Sequence, residues 1–208
     1  MSTMTPEHSG RGGYAKGRAR RQEIIASAVE LFGEVGFHGA SLRDISARAG
    51  VSHPGLLHHF ATKVALLEAV LAHRDEVDSA AVDADVAQGA SVVEALVKQV
   101  KRNQRRRPLV ELFAALSAEA TSADHPAHDY FVNRYNELVA LVRADLVGHQ
   151  DRGQLRAGVD VDITARAIVA LMDGLQIQWL MSLDRPKKGQ VDMAADLRAY
   201  LDLVILPG

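Results

Sequence analysis

The sequence predicts an all-α protein of about nine helices. An N-terminal three-helix helix-turn-helix unit is followed by a larger helical domain. Three observations predict this. The chain is 48% hydrophobic but only 5% aromatic, and Ala, Val and Leu dominate it, which favours helix. Apolar residues recur at three- and four-residue spacing, with no period of two. Ser, Thr or Asp precede several of these runs, and Gly or Pro follow them. A length of 208 residues suits one or two domains and a core that needs no staples. Cys is absent, which excludes disulfide frameworks, thiolate nucleophiles and cysteine-based metal sites. The N-terminus lacks an apolar signal segment, and no run of about 18 apolar residues occurs. The expectation is a cytoplasmic protein with no membrane partner.

Residues 1–17 are Gly- and Ser-rich and aperiodic, and read as a flexible basic arm. Over residues 18–35, Ile24, Ile25, Ala28, Leu31, Phe32 and Val35 share one helical face, and Gly36 stops the helix. Ser41, with Asp44 three residues on, caps a short helix over 42–49. Ser52 caps the next, over 52–59, with Pro54 in its first turn, where a missing N–H costs nothing. Thr62 caps a connecting helix to about residue 79. Ser91 and Glu94 form a capping box opening a helix to about 106. Pro108 starts the next, to about 120. Helices over 127–149, 162–183 and 191–206 complete the set. The divisions expected are 1–17 arm, 18–63 helix-turn-helix unit, 64–79 connector, and 80–208 larger helical domain.

The net charge of −2 conceals two unlike parts. Residues 1–63 hold eight basic and five acidic residues, +3; the remainder holds sixteen basic and twenty-one acidic, −5. Such asymmetry points to a nucleic-acid face on the first part.

Two short helices joined through Ala49-Gly50-Val51-Ser52 fit a helix-turn-helix. Gly50 can adopt the left-handed backbone of a sharp turn, and Val51 can plug the angle between the helices. By itself the turn also fits an ordinary helical hairpin. Ile45, Leu56 and Phe60 are placed to pack on Leu31 and Phe32, turning His53, Gly55, Leu57 and His58 outward.

Residues 21–71 resemble the DNA-binding domain of the TetR family of transcriptional repressors. The resemblance is carried by Leu31-Phe32-Gly33-Glu34-Val35-Gly36-Phe37, Ser41-Leu42-Arg43-Asp44-Ile45, Ala49-Gly50-Val51-Ser52, His58-His59-Phe60, Lys63 and Leu66-Leu67. A weaker likeness runs through Ala170-Leu171-Met172-Asp173-Gly174-Leu175 and Gln178-Trp179-Leu180. The chain departs from the pattern at Leu57, where an aromatic is usual, at Val64, where Glu is common, and at Pro54-Gly55. Leu57 leaves open an alternative: a helical small-molecule-binding or scaffold protein with an impaired DNA-binding head.

The resemblance implies a homodimer on a palindromic double-stranded operator, released by a small apolar or amphipathic effector, with 18–63 as the DNA-binding domain and 80–208 as the effector-binding and dimerisation domain. It implies backbone contacts from Ser41, Arg43, Ser52, His58, His59 and Lys63. Base-edge approach falls to His53 and Gly55. Arg11, Lys16, Arg18, Arg20 and Arg21 could track phosphates. Phe113, Leu116, Phe131, Tyr135, Met172, Gln176 and Trp179 are the pocket candidates. Ile168, Leu171, Met172, Leu175, Leu197, Leu201 and Val204 are the candidate dimer contacts. Lys101, Arg102, Arg105, Arg106 and Arg107 read as a solvated helix end, and His125 and His128 as turn-capping residues. No motif joins Ser, His and Asp into an enzyme site, and no cofactor or metal is expected.

Overall fold

A computed structural model describes residues 10–207, with side chains from residue 15. Nine α-helices lie among the described residues: α1 (Gly10–Gly39), α2 (Leu42–Arg48), α3 (His53–His59), α4 (Lys63–Ala87), α5 (Val92–Asn103), α6 (Arg107–Glu119), α7 (His128–Asp151), α8 (Val161–Ser182) and α9 (Met193–Asp202). No single helix is long and apolar enough to cross a membrane.

The expected caps form. The side chains of Ser41, Ser52, Thr62 and Ser91 accept the amides of Asp44, Gly55, Ala65 and Glu94. Ser91 and Glu94 complete the capping box. α5 and α9 end earlier than expected, at Asn103 and Asp202, and two other boundaries extend well beyond expectation. Gly10–Gly17, taken as arm, belong to α1, because Ala15, Lys16, Arg18 and Ala19 are good helix formers that outweigh the interspersed glycines. The rest of the arm, residues 1–9, lies outside the described residues. The connecting helix continues to Ala87, since nothing in 79–87 breaks it before Gly89 takes φ 94°.

Two hydrophobic clusters form the core. In the first, Ile24, Phe32, Ile45, Leu56, Phe60, Leu66, Leu67 and Val70 bring α1–α4 together, and Leu109, Leu112, Leu116 and Phe131 extend it into α6 and α7. The core of the N-terminal head therefore continues into α6 and α7, and α1 is the helix that packs on α6. The second cluster joins α5–α9 through Leu96, Val142, Leu146, Ile168, Trp179 and Leu197, among others.

The α1–α6 contact is close because of Gly33. A Cβ there would meet the Leu112 amide nitrogen at 2.9 Å and Pro108 O at 3.2 Å. The basic run 101–107 is also more than a solvated end. Arg102 and Lys98 bind Asp85, and Arg106 binds Asp78 at 2.7 Å, tying α5 and its following turn to α4.

Candidate nucleic-acid interface and ligand cavity

In the helix-turn-helix, Gly50 takes φ 62°, with open space where a Cβ would stand. Val51 packs on the head cluster, as do the buried Ile45, Leu56 and Phe60. Ser41, Arg43, Ser52, Leu57 and His58 are exposed, and His53, Gly55 and His59 are half-buried. His58 and His59 meet edge-on, 5.6 Å between ring centres. The Ser41 hydroxyl donates to the Asp44 carboxylate, closing the cap. Gly55 allows the Ser52 cap to form, since a Cβ would lie 3.0 Å from Ser52 Oγ.

Lys63 departs from its expected part. Its ammonium donates to the carbonyl oxygens of Phe37 at 2.8 Å and Ala40 at 2.9 Å. It also lies 4.3 Å from the centre of the Phe37 ring. The first residue of α4 thus fastens the turn between α1 and α2. Arg48 is likewise engaged, its two terminal guanidinium nitrogens donating to the Glu34 carboxylate oxygens at 2.7 Å. Arg20 pairs with Glu23 at 2.7 Å.

The other end of that turn is held by α6. Gly36 breaks α1 at φ 72°, ψ 177°, a conformation suited to glycine. The break exposes the Phe37 amide, which donates to Glu119 Oε2 at 2.8 Å. His125 Nε2 lies 3.4 Å from the same oxygen, and its ring meets Phe37 and His38 edge-on. Its Nδ1 accepts the Ala127 amide. Burial lowers the His125 pKa, and Glu119 opposes the shift. His128 stands 2.8 Å from Ala120 O, so both histidines close the α6–α7 turn.

A cavity of about 220 Å³ lies between α4, α5, α6, α7 and α8. Phe113, Phe131, Tyr135, Met172 and Gln176 line it as expected. Leu116 and Trp179 do not line it. Leu116 is fully buried in the head cluster and Trp179 in the second cluster. The cavity's polar wall escaped sequence reading: Arg74, Asp78, Gln99, Asn103, Arg134 and Asp173.

Arg74 is 7% exposed. Its guanidinium carbon stacks 3.5 Å from the Phe113 ring centre, and Nε is 2.9 Å from Asp78 Oδ2. The angle there is poor, and neither atom has a directed hydrogen bond. Burial lowers the Arg74 pKa. Asp75 accepts from Tyr130 at 2.9 Å and Arg134 at 2.8 Å, and burial pushes the Tyr130 phenol up to about 12. Across the cavity, Tyr135 donates to Asp173 at 2.6 Å. Burial raises the pKa values of both.

The dimer candidates need correction. Ile168, Met172, Leu175, Leu197 and Leu201 are buried in the monomer's own second cluster, with Leu171 and Val204 packed against it. The five buried side chains have no surface to offer a partner, whereas Leu171 and Val204 are half-buried. The outward face of α8 instead carries Ile163, Ala170, Gly174, Ile177 and Met181, with Leu203 exposed just beyond α9. Ile163 is 69% exposed and Met181 74%.

A helix-turn-helix head seated on helices that enclose a ligand-sized cavity is the architecture of a DNA-binding regulator. Sequence comparison gives the family. Residues 24–70 match the bacterial regulatory proteins of the tetR family, and residues 89–206 match the C-terminal region of BetI-type transcriptional repressors. The chain belongs to the TetR family of DNA-binding transcriptional regulators. It is 27% identical over 178 residues to the regulator PksA of Bacillus subtilis, covering 83% of this chain and 84% of that one. It is 27% identical over 154 residues to the repressor AcnR of Corynebacterium glutamicum, covering 74% and 78%. A transcriptional regulator of Saccharomonospora viridis, solved in complex with choline, has the same fold, with TM-score 0.74, 23% identity and coverage of 90% and 98%. Its relatives regulate transcription and are not enzymes.

Proposed function

We propose that this regulator is a homodimeric repressor that holds a palindromic operator and releases it when a small, partly apolar effector enters the cavity. One observation carries this reading: the same two helices serve the head and the cavity. Leu66, Leu67 and Val70 of α4 lie in the head core, and Arg74, Asp78 and Val82 further along line the cavity. Leu109, Leu112 and Leu116 of α6 pack on the head, Phe113 faces the cavity, and Glu119 holds Phe37. A ligand that prefers a different setting of α4 and α6 shifts the head by no more than its differential affinity for the two settings.

In the dimer, the α8 stripe Ile163–Ala170–Gly174–Ile177–Met181 meets its copy, a helix-pair packing suited to a four-helix interface. Ala170 and Gly174 let the backbones approach closely. The two α3 helices then address major grooves one turn apart, about 34–36 Å, or a multiple of that. Arg43, Ser52 and His58 face phosphates, and His53 faces base edges. Lys63 is left out of the phosphate set because its ammonium already has two carbonyl partners.

The test is genetic. Deleting the gene raises expression of the genes beside it if the protein represses them. A fall in their expression assigns an activator instead. A second reading, a ligand-binding protein with a weakened head, is favoured by Leu57, which presents an exposed aliphatic surface rather than a hydrogen-bonding one. It predicts no change in either direction.

A further inference from the structure

The fixed cations of the head are largely engaged within the fold, and α3 carries titratable groups in their place. The helix reads His53-Pro54-Gly55-Leu56-Leu57-His58-His59 and has neither Lys nor Arg. Lys63 is held by two carbonyl oxygens and the Phe37 ring. Arg48 is held by Glu34, Arg20 by Glu23, and Arg21 lies 4.9 Å from the Phe60 ring centre. Of the two arginines on α2, Arg43 is the one with no ion pair among the described residues.

The three histidines of α3 are uncommitted. Among the described residues, the histidine ring nitrogens with hydrogen-bond partners belong to His125, His128 and His149. Carboxylates pair with His125 and His149. His53 Nδ1 is buried with no partner, and His58 is exposed beside His59. The charged groups on the elements around α3 are Arg21, Glu30 and Glu34 of α1, Arg43, Asp44 and Arg48 of α2, and Lys63 of α4. The acids of that set are engaged elsewhere: Asp44 in the Ser41 cap, Glu30 and Glu34 on Arg48. A DNA phosphate supplies the anion that the fold does not.

We propose that α3 is a proton-linked DNA surface: His58 and His59 take up protons as they meet phosphates, so the regulator holds DNA more tightly as pH falls through the neutral range. This rests on the reading above that α3 meets DNA. Histidine is the side chain whose charge changes between pH 5 and 8, and a nearby anion favours its charged form. A complex that binds more protons than its free partners strengthens on acidification. Lys and Arg stay charged throughout this range and give no such dependence.

The experiment measures binding of the intact protein to a fluorescent mixed-sequence duplex pool by anisotropy, at fixed salt, between about pH 8 and about pH 6.5. Backbone contacts supply binding to such a pool, so no operator is needed. Affinity is expected to rise about tenfold across this window for two protons taken up. The slope of log K against log salt should steepen by up to about two at the acid end. The double variant His58→Gln/His59→Gln should lose both changes. His58→Lys fixes the charge and should bind more tightly than wild type at about pH 8, with a shallower pH dependence. His125→Asn, outside the DNA face, should keep the wild-type rise, which separates proton uptake on α3 from changes at the Phe37 contact. An affinity independent of pH, or a rise that survives in the double variant, overturns the proposal and leaves the DNA contact of α3 standing. Binding at no pH overturns the DNA reading along with it.

Discussion

The carboxylate of Glu119, the last residue of α6, accepts the backbone amide of Phe37, 82 residues earlier in the chain, at 2.8 Å. The contact stands at the one place where α1 breaks. Below it, Lys63 of α4 holds the Phe37 carbonyl. The segment leading into the Ser41 cap of α2 is therefore pinned by both helices that also reach the cavity. Removing the carboxylate in Glu119→Ala leaves a part-buried amide unpaired. The expected cost is about 2 kcal/mol, a fall in Tm of roughly 4–8 °C for a chain of this size. Glu119→Gln keeps an acceptor and should recover most of the loss.

Gly36→Ala is expected to be worse than Gly50→Ala, although both glycines have positive φ. At Gly50 the space is open, so the cost is backbone strain alone, about 1–2 kcal/mol. At Gly36 a Cβ would stand 2.0 Å from Glu119 Oε1, so the Phe37 clasp is also lost. Denaturant melts of the single variants and of Gly36→Ala/Glu119→Ala form a cycle. The added cost of Gly36→Ala should shrink toward the Gly50 value once Glu119 is gone.

Lys63 and Arg43 separate structure from DNA contact. Arg43 is exposed on α2, and Arg43→Ala should weaken all sequences alike and reduce the slope of log K against log salt by about one. Lys63→Met should instead lower Tm and leave that slope unchanged. A slope change in Lys63→Met would place its ammonium on phosphate.

Acidification tests His125. Its folded pKa lies below the unfolded value of 6.5. The unfolded chain therefore takes up the proton first, and stability present above pH 6.5 is lost as pH falls through the folded pKa. Glu119 draws the proton on, while His38 and burial oppose it. His125→Asn should flatten the decline of Tm below pH 6.5 relative to wild type.

The α8 stripe is testable by mass in solution. Met181→Asp together with Ile177→Asp places two charges on an apolar face and should yield monomers by light scattering, with the helical signal unchanged. If the pair still migrates as wild type, the interface lies elsewhere.

Local signals were legible in the sequence. The caps at Ser41, Ser52, Thr62 and Ser91 depend on residues three positions away, and the head's apolar face depends on helical spacing. Partners distant in sequence were not legible: Glu119 gives no sign of Phe37, nor Lys63 of Ala40. Five of the seven dimer candidates lie in the monomer core for a related reason, since Leu197 and Leu201 show the same period whether they face a partner or their own core. One signal was present and overlooked. Arg74 and Asp78 continue the apolar face of Leu67, Val70 and Leu71 at helical spacing, and charges in such positions mark a buried polar site.

Whether a symmetric pair of heads reads the DNA is tested most directly by selecting bound fragments from a random duplex library at low salt. Wild-type protein is expected to enrich a palindrome whose half-site centres lie about one helical turn apart or a multiple of it, with base preference altered by His53→Ala. No enriched sequence, or an enriched site without two-fold symmetry, would contradict it.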